Sequence, residues 1–308
     1  MVDMDIFYSS LMMVGVIIVA GFILGKLKVI TSEMNKHLIT LLLTVAWPAA
    51  LFRAYPQAFD AELFSDFLWG LVGGVLVLGT MIALSKLIFN KWLFKGELAY
   101  MGQFAFIFNN ASFLGFPLVM AIYGEDGLLP YCGFILVFNL ALFGYGVYLF
   151  KRKLDWQMVR STLLNPNVIA VVLGTVFFLF SLQLPSQVNG AIGSVAAIMT
   201  PMSLLCIGFM LSRAKLKALV KKWRLFVAAA VQLICGPLVA FGLMQVFGFP
   251  AEIATMMILL QALPTATSLG LFAEKYGGDS TSASELVLIS TIMSVVTLPI
   301  MLGLLITG

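Results

Sequence analysis

The sequence predicts an all-α membrane protein of ten transmembrane helices, arranged as two inverted five-helix repeats, and three observations predict it. The first is composition: 61% of the 308 residues are hydrophobic and 10% are charged, where a soluble domain carries about 25% charge. Mean hydropathy is correspondingly high, at +1.06. The second is punctuation. Polar residues divide the chain into ten apolar stretches, each near the ~20 residues that a helix needs to cross a bilayer. A β-barrel is excluded, because its strands would be ~10 residues long with alternating polarity. The third is the distribution of charge along the connections, which alternates in sign from one to the next.

The spans fall at 5–25, 34–55, 63–89, 98–122, 127–150, 165–183, 187–212, 224–248, 251–275 and 281–306. The first begins after Asp3 and Asp5 and is long enough to span, so it reads as a membrane helix rather than a cleavable signal. Lys26, Lys28 and Lys36 follow it. The second span carries Trp47 and Pro48, and the third carries Gly70, Gly73 and Gly74, read as sites of close helix packing. Lys86, Lys91 and Lys95 precede the fourth. The fifth contains Asn139, Gly144 and Gly146 and ends at Lys151-Arg152-Lys153, with Arg160 beyond. Asn165-Pro166-Asn167 opens the sixth, and Pro201 lies in the seventh. Arg213, Lys215, Lys217, Lys221, Lys222 and Arg224 separate the seventh from the eighth, and Lys275 closes the ninth. The opposite connections hold Arg53 beside Asp60, Glu62, Asp66, Glu125, Asp126 and Glu252. Positive residues stay cytoplasmic, so the chain is expected in the cytoplasmic membrane with both termini outside. The net charge of +4 then reflects topology, and no nucleic-acid partner is expected. Cys132, Cys206 and Cys235 lie within apolar spans and read as packing residues, forming neither a disulfide framework nor a metal site.

Five spans per half reverse the sense in which the second half enters the membrane, which is the arrangement of an inverted repeat. The halves are 1–153 and 154–308. An offset of 153 residues pairs Pro48 with Pro201, Gly21 with Gly174, and Tyr123-Gly124 with Tyr276-Gly277.

Spans four and nine are broken near their middles. The fourth reads Phe108-Asn109-Asn110-Ala111-Ser112-Phe113-Leu114-Gly115-Phe116-Pro117, with regularity lost at Asn109 and Asn110 and the helix expected to restart near Pro117. The ninth reads Gln261-Ala262-Leu263-Pro264-Thr265-Ala266-Thr267-Ser268. Hydrocarbon cannot satisfy freed peptide groups, so such backbone survives only inside protein or along a cavity. One proline kink is commonplace in membrane helices; two in corresponding spans, each flanked by polar side chains, favour a carrier. Set side by side, the two half-helix N-termini each present unpaired N–H groups and roughly half a positive charge. Together they attract an anion without a lysine or arginine. Asn109, Asn110, Ser112, Asn139, Thr265, Thr267 and Ser268 are the candidate substrate-binding residues; Gly115, Pro117, Pro264, Pro48 and Pro201 are the structural ones.

The acids Asp66, Glu97, Glu252, Glu274 and Glu285 all sit near helix ends, which disfavours a proton relay at the midplane. His37, the single histidine, reads as interfacial. Outward movement of an anion gains about 2.3 kcal/mol per charge per 100 mV. Sodium coupling stays open, since the neutral oxygens at the breaks suit a hard cation. No other cofactor is expected. An intramembrane enzyme is disfavoured, because there is neither a serine–histidine pair facing across the membrane nor an H-E-x-x-H motif.

The segment Asn110 to Pro117 resembles the fourth-span signature of the auxin efflux carrier family. Ala262-Leu263-Pro264 with Phe272-Ala273-Glu274-Lys275-Tyr276 is similar to that family's ninth span. Asn165-Pro166-Asn167, Pro201-Met202-Ser203-Leu204 with Gly208, and Leu298-Pro299-Ile300 also match. The resemblance implies a fold related to bile acid sodium symporters and a homodimer. It further implies a scaffold of spans one, two, six and seven, and a transport domain of spans three, four, five, eight, nine and ten that moves as an elevator. It makes Asn110 a substrate contact, gives Asn139 a position facing substrate, and makes Pro117 and Pro264 the crossover prolines. Leu51 stands where plant auxin exporters carry serine, and their long central loop is absent. A small organic anion such as malonate or malate is therefore expected in place of an indole acid.

Overall fold

A computed structural model describes residues 4–55, 58–89, 94, 96–153, 156–214, 219 and 221–306. Asp3, Lys91, Lys95, Lys215 and Lys217 of the charge pattern lie outside the described residues. Thirteen helical elements follow in order: α1 (Met4–Lys26), α2 (32–53), α3 (Ala61–Ile88), α4 (Glu97–Ile107), α5 (Ala111–Tyr123), α6 (Leu128–Lys151), α7 (Trp156–Leu163), α8 (Pro166–Leu179), α9 (Ser186–Ser212), α10 (Trp223–Phe247), α11 (Ala251–Gln261), α12 (Ser268–Tyr276) and α13 (Ser280–Ile306). Six of these are long and apolar enough to cross a membrane, and shorter apolar helices accompany them. The described residues contain no β-strand, only one isolated bridge.

Local chemistry sets the helix ends. Thr31 and Asp60 accept hydrogen bonds from the first turns of α2 and α3, as N-cap residues do. Asp279 plays that part for α13, where Ser282 donates to its carboxylate at 3.0 Å. The Ser282 hydrogen bonds hold the Asp279 carboxyl below its ordinary range. Pro48 follows a π-helical turn at Leu42–Ala46 within α2, because a proline has no N–H to close an ordinary turn. In α9 the helix loosens at Ile198, three residues before Pro201.

Two close packings organise the bundle. Helix α1 runs along α9, where Gly21 meets the Leu205 backbone and Gly208 meets that of Ile18. Helix α3 runs along α6, where Gly70 meets the Pro130 carbonyl and Gly133 meets the Phe67 carbonyl. Backbones approach this closely only where no Cβ intervenes. Gly144, read as another packing glycine, faces open space instead. Helix α2 packs against α8 and α9, while α10 packs against α4, α11 and α13. Trp47 is fully buried, its ring edge-on to Phe116 at 5.2 Å and Tyr131 at 6.0 Å.

Helix ends that the charge pattern assigns to one face do meet. The Ser10 hydroxyl donates to the Ala121 carbonyl at 3.1 Å, Arg53 pairs with Glu125 at 3.6 Å, and the Phe59 N–H donates to Ser181 Oγ at 2.9 Å. On the opposite assignment, the Asp279 N–H donates to Glu97 Oε2 at 2.6 Å and Lys222 pairs with Glu285.

Candidate functional site

Helix α4 stops at Ile107 and α11 stops at Gln261, and the two interrupted segments cross and bond to each other through their backbones. Asn109 and Thr265 form an antiparallel bridge. The Asn110 N–H donates to the Pro264 carbonyl at 2.7 Å, and the Ala266 N–H donates to the Phe108 carbonyl at 2.9 Å. Each break thus satisfies peptide groups that the other frees, which is what hydrocarbon surroundings demand. Gly115 packs onto this crossing, since a Cβ there would meet Leu263 Cδ1 at 2.9 Å and Leu260 Cδ2 at 3.2 Å.

The second half-helix of the first break begins at Ala111, six residues before Pro117, and not near that proline as its sequence suggested. A π-turn over Ala111–Gly115 comes first, with Asn110 as its cap: the Phe113 N–H donates to Asn110 Oδ1 at 3.3 Å. Pro117 sits in the turn after it, where the wider π-turn accommodates a residue with no N–H to close an ordinary turn. The Tyr131 hydroxyl donates to the Ala111 carbonyl at 2.7 Å and fixes this turn against α6.

A cavity of about 60 Å³ lies beside the crossing, lined by Asn109, Asn110, Ser112, Asn139, Thr267 and Ser268, with Asn167, Ala266 and apolar groups such as Leu43, Phe138 and Leu271. Among the described residues, no charged side chain lines it. Asn109, Asn139 and Asn167 are all buried, and atoms of all three side-chain amides lack hydrogen-bond partners in the protein. Buried amides normally find partners, so the unsatisfied amides of Asn139 and Asn167 beside one cavity mark a place for a polar ligand, while Asn109, paired opposite Thr265, shares that residue's face.

Thr265 is the exception among the expected binding residues. In an extended segment successive side chains point to opposite sides, and Thr265 turns away from the cavity into the protein. Its hydroxyl donates to Gln232 Oε1 at 3.0 Å. Its N–H donates to Ser290 Oγ at 3.1 Å, and Gln232 Nε2 donates to the Leu263 carbonyl at 2.7 Å. Gln232 on α10 and Ser290 on α13 therefore hold the second break in position, and sequence reasoning missed both. Gln232→Leu is expected to lower stability by about 1–3 kcal/mol, because it strands a buried carbonyl; thermal unfolding in detergent measures this. Asn167 was also missed as a lining residue. Its signal was present in the Asn165-Pro166-Asn167 opening of α8, where Asn165 caps the helix by accepting from the Asn167 N–H at 2.9 Å.

Pro48 and Pro201 lie outside the cavity lining and serve the helix irregularities of α2 and α9. A larger hollow of about 520 Å³ opens at the ends of α4, α10 and α13, lined by Glu97, Asp279, Lys221, Lys222 and Arg224. It mixes both signs of charge and shares no lining residue with the cavity at the crossing.

A family model described as "Membrane transport protein" matches residues 6–156 and 150–302. The chain is 25% identical over 300 residues to an "Uncharacterized transporter" of Methanothermobacter thermautotrophicus, covering 95% of this chain and 96% of the relative. It is 24% identical over 312 residues to the "Uncharacterized transporter YfdV" of Escherichia coli K12, with 96% of each chain covered. A "Putative malonate transporter" of Rhizobium meliloti is 24% identical over 304 residues, covering 95% of this chain and 93% of that one.

Proposed function

This chain belongs to the membrane transport protein family, that of the auxin efflux carriers, and on that premise we propose that it carries small organic anions across the cytoplasmic membrane. The carrying observation is the crossing itself, where the starts of two half-helices and several buried amides border one cavity with no charged side chain. Helix N-termini bind carboxylates without a counter-charge. At roughly 10–15 Å³ of such space per water-sized group, the cavity of about 60 Å³ has room for about four to six such groups, which favours a small carboxylate. An indole acid is too large for it. The malonate named for the Rhizobium meliloti relative favours the same class.

Movement follows the grouping of helices in this proposal. Helices α1, α2, α8 and α9 form the scaffold, and the remaining spans, with the crossing between them, slide as an elevator. The ten crossings make two inverted repeats, 1–153 and 154–308, with both termini outside and two copies in the membrane. The membrane potential supplies the drive, at about 2.3 kcal/mol per charge per 100 mV. Sodium is not required in this reading, because the potential alone drives an anion outward; the neutral oxygens that border the cavity carry the alternative of sodium coupling.

Uptake of radiolabelled malonate and malate into proteoliposomes tests the proposal. Saturable uptake that persists when potassium replaces sodium, and that responds to an imposed potential, is the expected result. Uptake no faster than in protein-free vesicles contradicts it, and uptake lost without sodium transfers the reading to sodium-coupled symport.

A further inference from the structure

The cavity asks for more than negative charge. Asn139 on α6 and Asn167 in the first turn of α8 both line it, at 3% and 5% exposure. Neither side chain hydrogen-bonds to the protein among the described residues, and Asn139 Nδ2 and Asn167 Oδ1 are buried outright. A carboxamide carries two N–H donors and one acceptor oxygen. With those two atoms enclosed by protein, Asn139 Oδ1 and Asn167 Nδ2 are the ones left to meet a ligand, an acceptor and a donor.

An ionised carboxylate only accepts. It can satisfy the amide N–H groups and those at the half-helix starts, yet it leaves the amide oxygen of Asn139 facing it without a donor. Burying an unpaired acceptor is costly, and a site built around a hydrogen bond rejects analogues that cannot make it. A hydroxyl on the carbon beside the carboxylate removes the conflict, donating to an amide oxygen while the carboxylate accepts from the N–H groups. We propose that Asn139 and Asn167 select small carboxylates that carry a hydrogen-bond donor of their own, typified by 2-hydroxy acids, over plain carboxylates of the same size. This rests on the carrier reading above and specifies its substrate class.

Two ligand pairs that differ by one hydroxyl test it: malate against succinate, and lactate against propionate. Affinities are measured with the purified intact protein by calorimetry and by competition for uptake, at a pH where every carboxyl is ionised. The hydroxy acid of each pair is expected to bind about tenfold or more tightly, the scale of one unpaired buried group. Asn139→Leu, similar in volume but without polar atoms, should bring the two members of a pair within about twofold, because the substituted position then holds no amide oxygen in need of a donor. Asn167→Leu removes the donor and should weaken both members. Equal affinities in the unmodified protein overturn this inference while leaving the anion carrier intact, and so does a preference that survives Asn139→Leu. Binding of malonate alone also overturns this inference and spares the carrier, whereas binding of neither malonate nor any of the four acids overturns the carrier reading with it. The comparison in the unmodified protein decides the matter even where a variant fails to fold.

Discussion

Asn110→Ala is expected to cut transport by about tenfold to a hundredfold while the protein stays folded, the cost of losing one or two buried ligand hydrogen bonds. The backbone of Asn110 does the structural work: its N–H donates to the Pro264 carbonyl at 2.7 Å, and its carbonyl accepts from Gly115 at 3.0 Å. Alanine keeps both bonds. What it removes is the side-chain cap on Phe113, worth about 1 kcal/mol, and the amide that borders the cavity. Function should therefore fall much further than stability. Initial uptake rates in proteoliposomes, set beside the melting temperature of the same preparation, separate the two. Full transport by a folded Asn110→Ala protein would remove Asn110 from the site.

Gly70→Leu should have the largest effect on stability, about 3 kcal/mol or more. A Cβ at this position overlaps the Pro130 carbonyl, which is backbone and cannot step aside as a side-chain tip can. The same seam is closed from the other side by Gly133 against the Phe67 carbonyl. Separating α3 from α6 there also displaces Tyr131, whose hydroxyl pins the Ala111 carbonyl at the crossing, so transport should be lost as well. Gly79→Leu is the control within α3, because a Cβ at Gly79 meets nothing within 4 Å; its effect should stay within about 0.5 kcal/mol, as for other surface positions. Thermal unfolding and the monodisperse yield in detergent read both variants. Equal behaviour of the two would show that close approach at Gly70 is not required.

The breaks were legible in the sequence because the signals that make them are local. Asn109-Asn110 and Pro264 interrupt apolar runs, and apolar helices in lipid do not tolerate such interruptions without a partner. What each residue faces was not legible. Thr265 and Ala266 are neighbours in an extended segment and point to opposite sides, so their polarity alone could not tell that Thr265 would seek Gln232 while Ala266 and Thr267 border the cavity. The restart at Ala111 was hidden for another reason. Pro117 is compatible with the first turn of a helix but does not require it, and the wider π-turn before it accommodates the ring equally well. The surroundings of Trp47 were equally hidden, since Phe116 and Tyr131, which enclose it, lie far along the chain. Gln232 and Asn167 needed the third dimension, because their partners and neighbours are distant in sequence. An isolated amide in an apolar span is nonetheless a hint, since it must find a partner, a cavity or a ligand.

The account depends above all on the two breaks touching. Residues paired as Asn109 and Thr265 are, opposite each other with hydrogen bonds on either side, have Cα atoms about 4.5 Å apart, within the ~4.4–6.8 Å that a disulfide spans. The measurement is disulfide formation in the double variant Asn109→Cys with Thr265→Cys, made after Cys132, Cys206 and Cys235 are replaced by alanine, with the membrane-embedded protein mildly oxidised. Near-complete bridging, abolished transport and recovery with reductant are expected. Folded protein that stays unbridged, while a pair within α3 and α6 beside Gly70 and Gly133 bridges readily, would contradict the crossing and the anion site built on it.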